Sequence, residues 1–347
     1  MTSAAGSDTP ATDAAQGEPD GTPGPSFASL FTRPALIWGW RAAADGARLT
    51  EDMDALPGEG FHWLHLNLAD QRTHRWLADQ ADLPPPFLAL MTSRDAHPRV
   101  IVEDGTVGLV LQDFERGLDA VGTADIGALH IVIGPRSIVT GRYHPIRSAD
   151  ILRQKLARRR TLDAAEAMTS LLDSMTGLFA VDAREMDLEV QTCEDELLND
   201  SPAAVARGMV SIRRRSARLH RLVGGMRTVL HRLGNDPDAP EAMREVADGF
   251  GQRVEAIESD IVATQSQLRM LRDEIDLQAA QRTNSTLYFL SMMNALLLPA
   301  TLVTGFFGMN TGGLPFAHGW GGTAAAGIIA LLASGTTWML LRRRDRS

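Results

Sequence analysis

The feature that most constrains this chain is a stretch near its C-terminal end that contains no charged side chain. Asp, Glu, Lys and Arg are all absent from Thr283 to Leu341, and two apolar runs, Ser285–Phe307 and Thr323–Leu341, lie within it. A helix needs about 20 apolar residues to cross the ~30 Å hydrocarbon core of a bilayer. We therefore predict two transmembrane helices, at about 284–307 and 323–341, with an external loop at 308–322.

Charges that flank these spans predict the orientation. Arg272 and Arg282 precede the first span, an arginine-rich tail at 342–347 follows the second, and the loop between the spans has no Lys or Arg. Lys and Arg close to the ends of a span stay on the cytoplasmic side. The prediction is a multi-pass protein of the cell (inner) membrane, with both termini in the cytoplasm.

The remainder of the chain divides into three regions. Residues 1–26 are mostly Ala, Asp, Gly, Pro, Thr and Ser without an apolar core, which predicts a disordered tail and no secretory signal. Residues 27–145 predict a cytoplasmic α/β domain, and residues 146–282 a cytoplasmic helical domain and stalk. Together with a two-helix transmembrane domain at 283–341, the fold class predicted is an α+β membrane protein.

Short apolar runs separated by turn residues predict the elements of the α/β domain. The predicted strands are Ala35–Ala42, Phe61–Leu68, Arg99–Glu103, Val107–Phe114, Ile126–Ile133 and Ser137–Tyr143, with short helices at Arg72–Asp82 and from Pro84 to Leu90. Helical patterns follow at Ser148–Arg160, Thr161–Asn199, Ala203–Leu233 and Pro240–Phe307. Apolar residues at spacings of three and four predict a packing seam in the last of these helices. Its members are Val254, Ile257, Ile261, Leu268, Leu271 and Ile275.

Composition narrows the classes of function. The formal net charge of −9 argues against a nucleic-acid partner and suits a protein that gathers cations, although ordinary solubility explains the same charge. A single cysteine, Cys193, excludes an intrachain disulfide framework and a cysteine-rich zinc site. His62 and His65 are three apart, so a strand places them on opposite faces, which argues against a ligand pair. No catalytic constellation is present, and we predict that the protein is not an enzyme and has no cofactor.

One side of the first span carries polar groups. Steps of three and four from Asn284 give a stripe that continues backward through Ala280 and Leu277 to Asp273. We call it the polar stripe; its members in the span are Asn284, Leu287, Ser291, Asn294, Leu298, Thr301 and Gly305. Polar groups are costly toward lipid unless they face water or another helix. The stripe therefore predicts either a pore lining or hydrogen bonding between helices.

A pore lining requires several copies of the chain, because one helix cannot enclose water. In such an assembly we expect the Asp273 carboxylates of the copies to form an anionic ring at the cytosolic mouth. This ring would raise the local cation concentration. Pro299 removes a backbone donor within the span and predicts a bend. Small residues of the second span allow helices to approach closely, which favours a place for this span in the outer layer of the assembly.

The end of the first span carries a family resemblance. The triplet Gly308-Met309-Asn310 follows the long helix and precedes a second short span and a basic tail. In this place and order the triplet resembles the CorA-type divalent metal ion transporter superfamily, over the whole chain. The continuation Asn310-Thr311-Gly312-Gly313-Leu314-Pro315 is similar to that of the zinc transporter (ZntB) branch, and it lacks the acidic residue of magnesium-type members.

This resemblance implies a pentameric funnel in which the first span lines the pore. It implies that Gly308, Met309 and Asn310 form an outer selectivity filter, and that Asn310 contacts the hydrated metal ion through its water shell. Carried over to this chain, the implied pore-lining residues are Thr301, Leu298, Leu290 or Ser291, Leu287 and Asn284, with Asp273 at the inner neck. An amide ring can bind the water shell without stripping it, and Mg²⁺ in particular dehydrates reluctantly.

The function predicted is transport of divalent cations, with Zn²⁺ foremost on the strength of the resemblance. Zinc ordinarily prefers His or Cys ligands, which the stripe lacks. Mg²⁺/Co²⁺ transport of CorA type is the alternative within the class, and a membrane-anchored sensor or scaffold is the alternative outside it. Partners implied are a lipid bilayer, further copies of the chain, divalent cations and, as an open question, protons.

Overall fold

The computed structural model describes most of the chain. The described ranges are residues 33–43, 46–56, 59–79, 81, 83–116, 125–198, 202–308 and 320–344. The described residues within Met1–Asp187 and Arg214–Val262 form one compact unit, and those within Leu188–Arg213 and Ala263–Ser347 form a second. The predicted tail at 1–26 lies outside the described residues.

A seven-stranded sheet forms the centre of the first unit. Its strands are β1 (Leu36–Ala43), β2 (Gly46–Thr50), β3 (His62–Asn67), β4 (Arg99–Glu103), β5 (Thr106–Phe114), β6 (Ile126–Ile133) and β7 (Ser137–Arg142). They lie in the order β2-β1-β3-β7-β6-β5-β4, and all neighbours are antiparallel except β3 and β7. Asp104 and Gly105 join β4 to β5 with positive φ of 47° and 71°, as a two-residue hairpin requires. The six predicted strands are confirmed, and β2 is an addition.

Helices cover both faces of this sheet. The helices of the chain are α1 (Gln71–Asp79), α2 (Pro85–Thr92), α3 (Arg147–Leu156), α4 (Ala164–Leu198), α5 (Pro202–Gly234), α6 (Glu241–Gly308) and α7 (Trp320–Arg344). On one face Phe87 and Met91 of α2 join a core with Val110 of β5. On the other, the indole N–H of Trp40 donates to the carbonyl of Leu156 in α3 (3.1 Å). Burial on both faces explains why β5 is a nearly continuous apolar run.

Two buried polar side chains make hydrogen bonds that link the sheet to a helix and one strand to another. The Asp113 carboxylate accepts the backbone N–H groups of Phe114 and Ser148, each at 2.8 Å, and so caps the start of α3. Burial raises the pKa of Asp113. His65 bonds Thr140 Oγ1 through Nδ1 (2.9 Å), and burial followed by the charge of Arg142 lowers the pKa of His65 to about 3.

The helix boundaries follow local chemistry. Asp163 and Glu166 bond each other's backbone N–H at the start of α4, as a capping box does. α3 ends at Leu156, four residues before the predicted end, because the N–H groups of Arg158 and Arg159 turn back to the carbonyls of Lys155 and Leu156.

The apolar seam predicted in the long helix is buried. Every member of the seam from Val254 to Leu271 is at most 6% exposed, while Ile275 is half-buried. This burial confirms that the spacing of three and four marks the packed side of α6.

Candidate ion pathway

One helix within the described residues is long and apolar enough to cross a membrane. It covers Glu241–Phe306, and none of its most apolar window is buried within the chain. A shorter apolar helix occupies Ala324–Met339 within α7. A long apolar surface that the chain itself leaves uncovered needs a nonaqueous surrounding or further protein.

The polar stripe lies on the uncovered side of α6. Every predicted pore-lining residue is exposed on the single chain, and so are Asp273 at the inner end and Gly308 at the outer end. The largest apolar residues of the predicted pore lining, Leu287, Leu290 and Leu298, are 57%, 53% and 73% exposed. The remaining exposed members are Asn284, Ser291, Asn294, Thr301 and Gly305.

The other side of α6 is partly covered. Its half-buried residues are Met292, Ala295, Leu296, Pro299, Ala300 and Val303. At about 100° per residue, this group is centred roughly 145° around the helix from the polar stripe. The hydroxyl of Ser334 in α7 donates to the carbonyl of Leu296 there (3.0 Å). α7 thus contacts α6 on the side away from the stripe.

Pro299 lies one turn after this contact. Proline lacks an N–H, so the carbonyl of Ala295, four residues earlier, loses its helical donor. Ser334 bonds the next carbonyl, that of Leu296, for which the N–H of Ala300 is the helical donor. The contact therefore does not replace the donor that Pro299 removes, and the sequence pattern had not identified Ser334.

The hydroxyl group in the upper part of the stripe is already oriented. Thr301 Oγ1 donates to the carbonyl of Leu297 at 2.9 Å. Because a hydroxyl has one proton and two lone pairs, its oxygen remains an acceptor for water. The stripe thus presents an acceptor that could contact the hydration shell of a cation.

Asp273 at the inner end is a carboxylate without an ion-pair partner among the described residues. The charged residues around it do have partners. Arg272 Nε lies 3.8 Å from Asp276 Oδ2, and Glu274 Oε1 accepts a hydrogen bond from Gln278 Nε2 (3.1 Å). The position that continues the stripe thus keeps an uncompensated negative charge.

The outer end of the pathway is only partly described. Gly308 is the last residue of α6, whereas Met309 and Asn310 lie outside the described residues, so the selectivity filter stays a prediction. Within the described ranges, no group of three or more His, Cys, Asp or Glu side chains could hold a metal ion.

Comparison with known proteins places this arrangement in a family. The family described as "CorA-like Mg2+ transporter protein" matches residues 58–343. The zinc transport protein ZntB of Enterobacter sp. (strain 638) is 26% identical over 321 residues, which cover 90% of this chain and 96% of that protein. ZntB of Cronobacter sakazakii is 26% identical over 293 residues, 81% of this chain and 87% of that protein.

Solved structures share the fold. The CorA magnesium transporter from Methanocaldococcus jannaschii superposes with a TM-score of 0.76 at 15% identity, covering 88% of this chain and 97% of that one. The full-length CmaX protein superposes with a TM-score of 0.72 at 21% identity, covering 89% of this chain and 98% of that one. The ZntB cytoplasmic domain from Vibrio parahaemolyticus superposes with a TM-score of 0.57 at 16% identity, covering 72% of this chain and 100% of that one. The fold is CorA-like, with a soluble α/β domain and a long helix, and the chain belongs to the family of CorA-like transporters, which are not enzymes.

Proposed function

We propose that this member of the CorA family of divalent-cation transporters carries Zn²⁺ across the inner membrane, through a pore that several copies of α6 line with the polar stripe. The observation that carries the proposal is the uncovered side of α6. Every member of the stripe is exposed, while α7 contacts the helix on the other side. Polar groups left uncovered in an apolar helix favour a contact with water inside an assembly.

The chemistry of the stripe suits a hydrated ion. Asn284, Ser291, Asn294 and Thr301 offer amide and hydroxyl oxygens and no charge. Such oxygens accept hydrogen bonds from the water around a divalent cation, so the ion keeps its shell. Asp273 supplies negative charge at the inner end, where it attracts the cation without a carboxylate inside the span.

Two features support zinc in particular. Two relatives that match over most of the chain are named zinc transport proteins. The loop Asn310-Thr311-Gly312-Gly313-Leu314-Pro315 is similar to that branch and carries no acidic residue. The second candidate is Mg²⁺, because the matching family is described as a Mg²⁺ transporter and the CorA of M. jannaschii is a magnesium transporter.

An assembly and a topology follow from the same proposal. A homopentamer would surround a water path with five copies of the stripe. Two spans, α6 and α7, with both termini in the cytoplasm place Asp273 on the cytoplasmic side and Gly308 on the outer side.

Flux into proteoliposomes tests the proposal. Purified full-length protein is reconstituted, and entry of ⁶⁵Zn²⁺ and of Mg²⁺ is measured separately, with and without an imposed pH gradient. We expect saturable Zn²⁺ entry that exceeds entry into protein-free liposomes. Mg²⁺ entry without Zn²⁺ entry would support the second candidate, and entry of neither ion would refute transport and favour a sensor or scaffold.

A matched pair of serines tests the stripe itself. Ser291 lies on the stripe, whereas Ser285 lies about 120° from Ser291 and about 150° from the centre of the stripe. Both are exposed on the single chain. Ser291→Val removes a hydrogen bond to the hydrated ion, worth ~1 kcal/mol, so Zn²⁺ flux should fall by about fivefold. Ser285→Val should leave flux unchanged. Asn310→Ala should alter selectivity between Zn²⁺ and Mg²⁺.

A further inference from the structure

A cleft in the first unit, distant in sequence from α6, is lined by arginines. It has a volume of about 630 Å³, within the range of small-ligand sites. Arg116, Arg147 and Arg153 line it together with Asp150, and aliphatic side chains such as Leu49 and Ile151 complete the wall. We call it the arginine cleft.

Each lining arginine is paired with a carboxylate through a single contact. Arg116 Nη1 donates to Asp150 Oδ2 (2.7 Å), and Arg153 Nη2 donates to Glu51 Oε1 (2.6 Å). Arg147 Nη1 lies 3.6 Å from Asp182 Oδ1, which is too long for a strong hydrogen bond. A guanidinium has five N–H donors, so most donors of these three arginines have no partner among the described residues.

A fourth arginine adds to the positive charge. Arg142, at the end of β7, has a buried Nη1 with no hydrogen-bond partner among the described residues. It interacts electrostatically with Asp150 and Arg116, both of which line the cleft. Burial, and to a smaller extent the charge of Arg116, lowers the pKa of Arg142. An unpaired buried donor close to a cleft is costly unless a ligand or water bonds it.

The charges on the cleft wall itself do not balance. Among the described lining residues are three guanidinium groups and one carboxylate, that of Asp150. Glu51, Asp182 and the buried Asp113 lie off the wall and interact with Arg153 and Arg147. Planar guanidinium groups bind phosphate oxygens in pairs, which a point charge cannot do. No aromatic ring is among the described lining residues, so the wall offers no platform on which a nucleobase would stack.

From this geometry we propose that the arginine cleft is a binding site for a small anion with two or more phosphate groups, of which inorganic pyrophosphate is the simplest. The phosphate oxygens take the free donors of Arg116, Arg147 and Arg153. The ligand adds negative charge to a wall that presents three guanidinium groups and one carboxylate among its described residues. The proposal is independent of cation transport through α6.

Equilibrium dialysis with ³²P-labelled pyrophosphate tests the site. The full-length protein in detergent is used in buffer passed over a chelating resin, because residual Zn²⁺ or Mg²⁺ would bind pyrophosphate itself. We expect saturable binding of one pyrophosphate per chain, and weaker binding of orthophosphate and of sulfate at equal ionic strength. Sulfate that binds as well as pyrophosphate, or no saturation, would overturn the proposal.

Variants separate the cleft from general charge. Arg116→Gln and Arg153→Gln should each weaken pyrophosphate binding by about tenfold, since each removes a charge-assisted contact. Arg158→Gln is the matched control, because Arg158 is exposed and not among the residues that line the cleft. Equal weakening by Arg158→Gln would show that net charge alone attracts the anion.

A conservative variant guards against loss of folding. Arg153→Lys keeps the charge and loses the planar fork, so binding should fall between wild type and Arg153→Gln. Tryptophan fluorescence of each variant checks that the sheet, whose Trp38, Trp40 and Trp63 are buried, is intact. If the Arg153→Lys and Arg153→Gln variants both bound pyrophosphate with wild-type affinity, a role for Arg153 would be overturned.

Discussion

Two adjacent leucines of α6 offer the sharpest test of the polar stripe. Leu298 belongs to the stripe, whereas Leu297 lies about 100° away around the helix. Both are exposed on the single chain, by 73% and 53%, and neither is among the residues half-buried on the α7 side. A single cysteine is introduced at one position or the other in a Cys193→Ala background, since Cys193 is the only native thiol. Any difference then comes from what surrounds the helix in the assembled, membrane-inserted protein.

The expected difference is large because thiol reagents attack the thiolate. A thiol in water has a pKa of about 8.5, and an apolar surrounding raises it. A rise of about two units suppresses the thiolate population on the order of 100-fold. A cysteine at 298 in a water-filled pore should therefore react on the order of 100-fold faster than a cysteine at 297 that faces lipid or a neighbouring helix.

The assay measures labelling rates of the reconstituted protein with a charged, water-soluble thiosulfonate, read by intact-protein mass. Divalent cation in excess should slow labelling at 298 and leave labelling at 297 unchanged, because only the pore residue shares space with the ion. Equal rates at the two positions, or faster labelling at 297, would refute the register of the stripe.

Three further predictions concern the soluble unit, and tryptophan fluorescence during thermal unfolding of the full-length protein in detergent measures each. Asp113→Ala leaves two buried N–H groups without an acceptor and should cost about 3 kcal/mol, and Asp113→Asn should cost less. Because burial raises the pKa of Asp113, wild type should gain stability over Asp113→Asn as the pH falls; an opposite trend would contradict the assignment. His65 has a pKa of about 3 in the folded protein and so stays neutral there, whereas in the unfolded chain it takes up a proton near pH 6.5. A fall from pH 7 to 5 should therefore lower the stability of the wild type by about 2 kcal/mol. The His65→Gln variant should not show this loss. Gly225→Ala places a Cβ 2.7 Å from Pro98 Cγ and should cost about 1–3 kcal/mol, whereas Gly224→Ala meets no atom within 4 Å and should stabilise α5 by up to about 1 kcal/mol; equal effects would exclude the Pro98 contact as the cause.

Much of the fold was predictable because its signals are local. Strands such as Arg99–Glu103 and Ile126–Ile133 are apolar runs between turn residues, and the structure has them at the predicted bounds. β2 was missed because Gly46–Thr50 is a short edge strand whose half-buried pattern has few apolar residues. The parallel pairing of β3 with β7 joins segments far apart in the chain, and no local signal records it.

The candidate site likewise has some features with a local sequence signal and others without one. The stripe was predicted from the helical repeat of 3.6 residues. Its members are exposed, as is every residue from 279 to 291, so the register of the stripe stays a prediction. The bond from Ser334 to Leu296 connects two helices and depends on their docking, so no local pattern in the sequence indicated it. The arginine cleft was missed because its side chains come from β2, α3, α4 and the residues that follow β5 and α3, which come together only in the folded unit.

The proposal of an oligomer rests on what α6 lacks in one chain. Asn284, Ser291 and Asn294 lie in a helix that has the length and apolarity to cross a membrane, and nothing in the described part of the chain covers them. α7 cannot do so, because its contact at Leu296 is on the other side of the helix. Lipid would leave these groups without hydrogen bonds, so water or another helix must supply them. Further copies of α6 around a common axis meet both needs, since they bring the stripes to face one another and enclose the water that a hydrated cation requires.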